Sequence, residues 1–395
     1  MQDNVCLIYL LHITQQLGWL AINMLPDVAL LEIFECYVNQ AREEEEKGDR
    51  LKIQAWHTLV HVCRKWRTIV LGSPRRLDLR LFCTNKTPVR ETLAIWPPLP
   101  IVIGQYRQPT QMDNIIVALE HNDRVCQVDL LDVRNSQLEE VLAAMQQPFP
   151  ALTELTMWWG VWRENGPPVL GDETRPVILE SFLGGSAPRL QYLQLLSVPF
   201  PGLPNLLLSA TDLVNLDIWN IPHSGYFSPE AMVRCLAMLT RLERLWLEFE
   251  SPLSCPVRGS RRLPPATRSV LPVLNHFRFK GVSEYMEDLV ARIDAPQVDR
   301  LSIIFFHHLI LDTPQLAQFI GRTPKLQTLD EARLVFGNRH VQIISPRTPA
   351  RSFELGISCR QSDWQLSFLA QVCSSFFPHV LIPTVELYIC ENEYD

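Results

Sequence analysis

The sequence predicts a chain of mixed class, α+β passing into α/β: a short all-helical module near the N-terminus, then an irregular α/β solenoid. Three observations carry this. Residues 24–73 hold apolar side chains at helical spacing in two segments. From about residue 124 a short unit recurs, Pro or Thr, any residue, then L-x-x-L-x-L. Between its copies lie apolar stripes at helical period. The 395 residues allow two or three domains, and 47% hydrophobic with 20% charged residues fits a globular chain. The 30 prolines predict many short, punctuated elements.

Residues 1–23 form an N-terminal extension. Val5 to Leu11 is apolar, but no Lys or Arg precedes it and no A-x-A site follows, so no signal peptide is expected. No run of eighteen apolar residues suggests a membrane span.

Residues 24–73 come next. Leu30, Leu31, Ile33, Phe34, Tyr37 and Val38 share one helical face behind Pro26 and Asp27, which suit a helix start. Leu59, Val62, Cys63, Trp66, Ile69 and Val70 predict a second helix, stopped by Gly72 and Pro74. Arg64, Lys65 and Arg67 lie on its solvated side. Two such helices cannot bury both apolar faces alone and need a third element or a partner. Between them residues 39–55 carry the charge run Arg42 to Arg50, expected to be a mobile linker.

The residues Leu25-Pro26-Asp27, Ile33-Phe34 and Val62-Cys63-Arg64-Lys65-Trp66-Arg67, in that order, resemble an F-box. The resemblance implies docking on the Skp-type adaptor of a cullin–RING (SCF) ubiquitin ligase, with the rest of the chain gripping a protein substrate. Leu25, Pro26, Ile33 and Phe34 would then be adaptor contacts, and Val62, Cys63 and Trp66 would divide between core and interface. The insertion at 39–55 departs from the family by its length.

Residues 74–123 are connecting elements. Leu77, Leu79 and Leu81 alternate with polar or outward residues, a strand signal; a short helical step, the Pro97-Pro98 break and a strand at Ile101 to Ile103 come after them. This passage resembles the segment directly after the F-box in a group of fungal F-box proteins.

Residues 124–395 carry the repeat. It reads PALTELTM at Pro150, PRLQYLQL at Pro188, TDLVNLDI at Thr211, TRLERLWL at Thr240, PVLNHFRF at Pro272 and PQVDRLSI at Pro296. A degenerate PKLQTLDE begins at Pro324, Val125-Val128-Leu130 make an earlier copy, and Phe353-Leu355 and Val385-Leu387 later ones. The mean spacing is about 29 residues, that of a long leucine-rich repeat. Each L-x-L places two side chains on one strand face, and parallel strands need a crossover with its own apolar stripe. Such stripes start at Ser136, Val177, Ser228, Ser283 and Thr313; Ser136, Ser228 and Thr313 are expected N-caps, and Gly184 and Gly321 helix ends.

This pattern resembles the leucine-rich repeat family, with uneven steps and without the family's buried Asn or Cys after L-x-L, where Gly160, Val198, Ile221, Glu250, Val282 and Phe306 stand. The expectation is an irregular arc with variable loops. Two insertions are candidate substrate-binding loops, since loops carry recognition. One holds Trp158, Trp159 and Trp162, aromatic anchors of the kind that dominate hot spots. The other holds Arg258, Arg261 and Arg262, suited to an acidic partner.

A net charge of −7 argues against nucleic acid as partner. The ten cysteines form no C-x-x-C or close pair, which predicts a reducing compartment, cytoplasmic or nuclear. His57 and His61 share a helical face near Cys63, but within the F-box likeness they are ordinary helix positions, so no metal or cofactor is expected. No G-x-S-x-G, P-loop or H-E-x-x-H occurs, which predicts a non-catalytic chain. The functional expectation is a substrate-recognition subunit of an SCF ligase; the alternative is a protein-binding scaffold with an idle F-box.

Overall fold

The first helix, α1 (Asp27–Glu46), starts behind Pro26, whose carbonyl accepts the Leu30 N–H at 3.1 Å. This computed structural model describes residues 24–46, 55–104, 112–163, 166–169, 175–254, 267–306, 313–327, 332–336, 340–344, 352–358 and 385–389. Helix α1 is longer than its apolar pattern implied. It continues through Asn39–Glu46, half of the expected linker, because Gln, Ala, Arg and Glu are good helix formers once a helix is nucleated.

The second expected helix is two, α2 (Ala55–Val62) and α3 (Arg64–Gly72). Cys63 between them is extended at φ −158° and ψ 171°, and its sulfur accepts the Trp66 N–H at 3.5 Å as an N-cap. The apolar period runs across the break because both helices face one core. Leu30, Phe34 and Val38 of α1 meet Trp56, Leu59 and Val60 of α2 and Ile69 and Val70 of α3. The third element the helices required is the chain just beyond them, since Leu77, Leu79, Leu81 and Leu99 join the same cluster. Leu77 and Leu79 are held in a turn rather than the expected strand, their N–H groups bonded to Ser73 and Pro74 carbonyls.

The remainder is mixed α/β. In chain order it comprises β1 (Leu81–Thr84), α4 (Val89–Ile95), β2 (Ile101–Gly104), α5 (Asp113–Leu119), β3 (Val125–Val133), α6 (Asn135–Ala144), β4 (Glu154–Trp159), β5 (Val161–Arg163) and β6 (Gly166–Val169). Then come β7 (Tyr192–Leu196), α7 (Leu203–Leu207), β8 (Asn215–Ile221), α8 (Pro229–Leu236), β9 (Arg244–Phe249), β10 (Ser269–Val270), β11 (His276–Gly281), α9 (Ser283–Val290) and β12 (Ile293–Asp294). Last are β13 (Arg300–Phe305), α10 (Pro314–Arg322), β14 (Ala332–Phe336), β15 (His340–Ile344), β16 (Ser352–Ser358) and β17 (Val385–Ile389).

One sheet of thirteen strands runs β1-β2-β3-β4-β7-β8-β9-β11-β13-β16-β15-β14-β17, so the connecting strands β1 and β2 belong to it. All its pairings are parallel except those of β15, which is antiparallel to both neighbours. In the copies from Pro150 to Pro296 the two L-x-L side chains point inward; Leu245 and Leu247 pair in register with Phe277 and Phe279, and these with Leu301 and Ile303. They share one buried cluster with Met232, Met286, Leu289, Leu316 and Phe319 of the helices, which puts these helices on the L-x-L side.

Several expectations need correction. The copy at Pro324 makes a 3₁₀ turn, Pro324–Leu326, and the strand beside β13 is β16, with β14 and β15 inserted between β13 and β16 in the chain. The stripe at Val177 forms only a 3₁₀ turn, Phe182–Gly185, in which Gly184 has φ +67° and a Cβ would lie 2.7 Å from Pro148 Cγ. Ser228 caps α8 as expected, accepting the Ala231 N–H at 3.2 Å. Ser136 does not cap α6: the N-cap is Arg134, whose N–H donates to the Gln137 side chain. Thr313 makes no side-chain cap; the Glu287 carboxylate of α9 instead accepts the N–H groups of Gln315 and Leu316 at 2.9 and 2.8 Å. Gly321 marks the end of α10 as expected, one residue before its last, Arg322.

Candidate functional site

Two surfaces offer themselves for recognition. The first is the head of α1. Lys65 of α3 donates to the Leu25 carbonyl at 2.9 Å and pairs with Asp27 at 3.3 Å, which pins the helix start to the module. Pro26 is exposed, Leu25 and Ile33 are half-buried, and Met24 and Val28 leave 84% and 68% of their surface open. Apolar side chains are thus presented at one edge of a module whose own core is already filled. Phe34 is a correction: it is fully buried, its ring 4.7 Å from that of Trp66, so it is core and presents nothing to a visitor. Val62, Cys63 and Trp66 are half-buried, Cys63 serving as the cap of α3.

His57 packs between aromatic rings. Its ring stacks on Trp96 at 4.8 Å with 8° between planes, and the Trp56 ring meets it edge-on with centroids 4.0 Å apart. Burial, aided by His61, lowers its pKa to about 4. Among the described residues no group of three or more His, Cys, Asp or Glu is placed to hold a metal ion.

The second surface is the sheet face turned away from the L-x-L core. Strand residues alternate sides, so Trp158 and Trp159 diverge. Trp159 is 4% exposed, with the Arg175 guanidinium 4.8 Å over its ring and held by Glu250 at 2.6 and 2.9 Å. It is packing, not an anchor. Trp158 faces the open side, 6.3 Å from Trp219. Trp162 lies in β5, its side chain outside what is described, and Arg258, Arg261 and Arg262 lie outside the described residues.

The outer positions of the repeat extend this face across β7, β8, β9, β11 and β13. Trp219 and Trp246 lie 4.5 Å apart, and Arg278 sits 4.2 Å over Trp246. Glu248 accepts from both, Trp246 Nε1 at 2.6 Å and Arg278 Nε at 2.8 Å. Asp217, a short side chain between larger neighbours, is 2% exposed, and burial raises its pKa while Arg244, 3.9 Å away, opposes the shift. The His276 pKa is lowered to about 4 by burial first, then by Arg244, Arg300 and Arg278. These residues escaped sequence analysis, although the repeat carries them in fixed columns: the residues before, between and after the two inward leucines. Asn220 was likewise unforeseen. It stands in the left-handed region at φ +56° and its side-chain amide donates to the Ser197 hydroxyl at 2.7 Å, tying β8 to the end of β7.

The two histidines set a pH dependence. In the unfolded chain each titrates near 6.5, in the folded chain at about 4. Between these values the folded state binds fewer protons, so stability is full above about 6.5 and falls as pH drops toward about 4. The thermal midpoint should decline on acidification over that window, and His57→Phe should flatten the decline.

A groove of about 1170 Å³ between α4, α5 and α6 is lined, among the described residues, by charged and amide side chains such as Arg90, Glu91, Asp113, Asn114, Glu120 and Glu140 together with apolar ones. Among the described residues Cys36, Cys83, Cys126 and Cys235 are free thiols, and burial pushes the Cys83 and Cys235 thiols up to about 11 and about 12. No helix among the described residues is long and apolar enough to cross a membrane. Comparison with models of known protein families gave no match, and comparison with curated proteins gave none.

Proposed function

We propose that this chain is a non-catalytic substrate-recognition subunit of an SCF-type ubiquitin ligase. Residues 24–73 act as an F-box that docks a Skp-type adaptor and, through it, a cullin. The leucine-rich-repeat-like region, 124–395, holds a protein substrate. The observation that carries this reading is the apolar edge at Met24, Leu25, Pro26 and Val28, left open beside a core that Phe34 already completes. The order of the F-box residues supports the identity of the visitor. The aromatic and charged face of the sheet supports the division of labour, since Trp and Arg are the residues that anchor interfaces. The subunit's contribution is proximity: tethering raises the effective concentration of substrate near the charged conjugating enzyme.

The test is co-elution of the full chain with a Skp-type adaptor and a cullin on size exclusion. Wild type should form the ternary complex. Leu25→Ala with Pro26→Ala should abolish it while lowering the thermal midpoint only slightly, since Leu25 is half-buried against the rim of the module's core. A double variant that still co-elutes rejects the docking assignment.

A further inference from the structure

Arg244, His276 and Arg300 stand in one register row on the adjacent strands β9, β11 and β13, on the face away from the L-x-L core. Neighbouring strands lie about 4.8 Å apart, so the row is about 10 Å long. The Arg244 side chain is 43% exposed and pairs loosely with Asp217 at 3.9 Å; Arg300 is exposed. Arg278, one row over, is held by Glu248 and lies over the Trp246 ring. The His276 pKa is lowered first by burial and then by Arg244, Arg300 and Arg278, with Asp299 opposing them. Beside the row, the Trp219 and Trp246 rings form an aromatic surface. In a chain of net charge −7, this concentration of guanidinium is local.

We propose that this row is the docking site for an acidic peptide segment, an extended stretch that presents Asp or Glu carboxylates to Arg244 and Arg300 and lays an apolar side chain on Trp219 and Trp246. The inference rests on the sheet face being the substrate surface, and it names the substrate class. Guanidinium forks match carboxylates in bidentate geometry. On the outward face from β8 to β16, Asp217, Glu248 and Glu354 stand against Arg244, Arg278, Lys280 and Arg300, four positive charges less three negative, which leaves a surplus of one. That balance suits single negative charges spaced along a strand better than a doubly charged phosphate.

The test uses the full chain on arrays of random nonapeptides whose two central residues are fixed as Glu-Glu, Gln-Gln or phosphoserine-Gln. Glu-Glu pools should retain about ten-fold more protein than Gln-Gln pools, a preference that weakens with salt. Arg244→Gln with Arg300→Gln should erase that preference; Arg300→Gln alone, at an exposed position, should weaken it clear of folding effects. Trp219→Ala with Trp246→Ala should lose binding to every pool. Equal retention by Glu-Glu and Gln-Gln pools, a ten-fold preference for phosphoserine, or no binding to any pool overturns the proposal. A Glu-Glu preference that survives the tryptophan variant places the peptide elsewhere, and then the sheet-face reading fails with it. Adaptor co-elution should be untouched by all these variants, so failure here and failure of the F-box assignment are separate results.

Discussion

Phe34→Ala should lower the unfolding free energy by about 3–5 kcal/mol, the cost of emptying a fully buried aromatic site. Phe34 is 0% exposed and packs on Trp66 within a small cluster that also takes in Leu77, Leu79, Leu81 and Leu99. A small core has little capacity to close over the void, so the loss should sit in the upper part of that range. Urea denaturation followed by circular dichroism measures it; a loss below about 1 kcal/mol would show that the module collapses around the cavity. The variant also separates two explanations of a binding defect. If Phe34→Ala fails to capture an adaptor, the cause is a loosened scaffold, whereas Leu25→Ala with Pro26→Ala acts at the surface.

Phe279→Ala should cost about as much, again about 3–5 kcal/mol. Phe279 is fully buried at the second inward position of β11, 6.2 Å from the Phe249 ring and 5.8 Å from a stacked Tyr285. It pairs in register with Leu247 on one side and Ile303 on the other, so truncation removes contacts to both neighbouring strands and to α9. Its cluster is distinct from that of the helical module, with Leu93 packed against both. The expected readout is a lowered denaturation midpoint with adaptor co-elution retained under native conditions.

The fold was legible where the apolar period was strong. The inward pairs from Leu155-Met157 to Leu301-Ile303 all fall on buried strand positions, because a period of two with Pro or Thr ahead of it leaves few other readings. Boundaries were less legible. The break at Cys63 is invisible to periodicity, since α2 and α3 turn the same face to one core and the stop signal is only a sulfur that accepts a backbone N–H. The run Asn39–Glu46 looked like a solvated linker because charge alone does not distinguish a helix from a loop. At Val177 the apolar residues were present, but Leu183, Gly184 and Gly185 all take positive φ and prevent a regular helix.

The candidate surfaces were legible in part. Attention to tryptophan as a residue type found Trp158 and Trp159 together, and only strand geometry separates the one that is open from the one that is core. Trp219, Trp246, Arg244 and Arg278 lie on the strands themselves, outside the two insertions, so attention to loops passed over them. Reading the repeat by columns, across strands rather than along them, is the signal that would have assembled this face.

Hydrogen exchange of the full chain, with and without a purified Skp-type adaptor, tests the central claim most directly. Protection confined to amides of residues 24–38 and 55–72, with β4 to β13 unchanged, is the predicted result. No protection anywhere, or protection that appears on the sheet strands instead, would contradict the account.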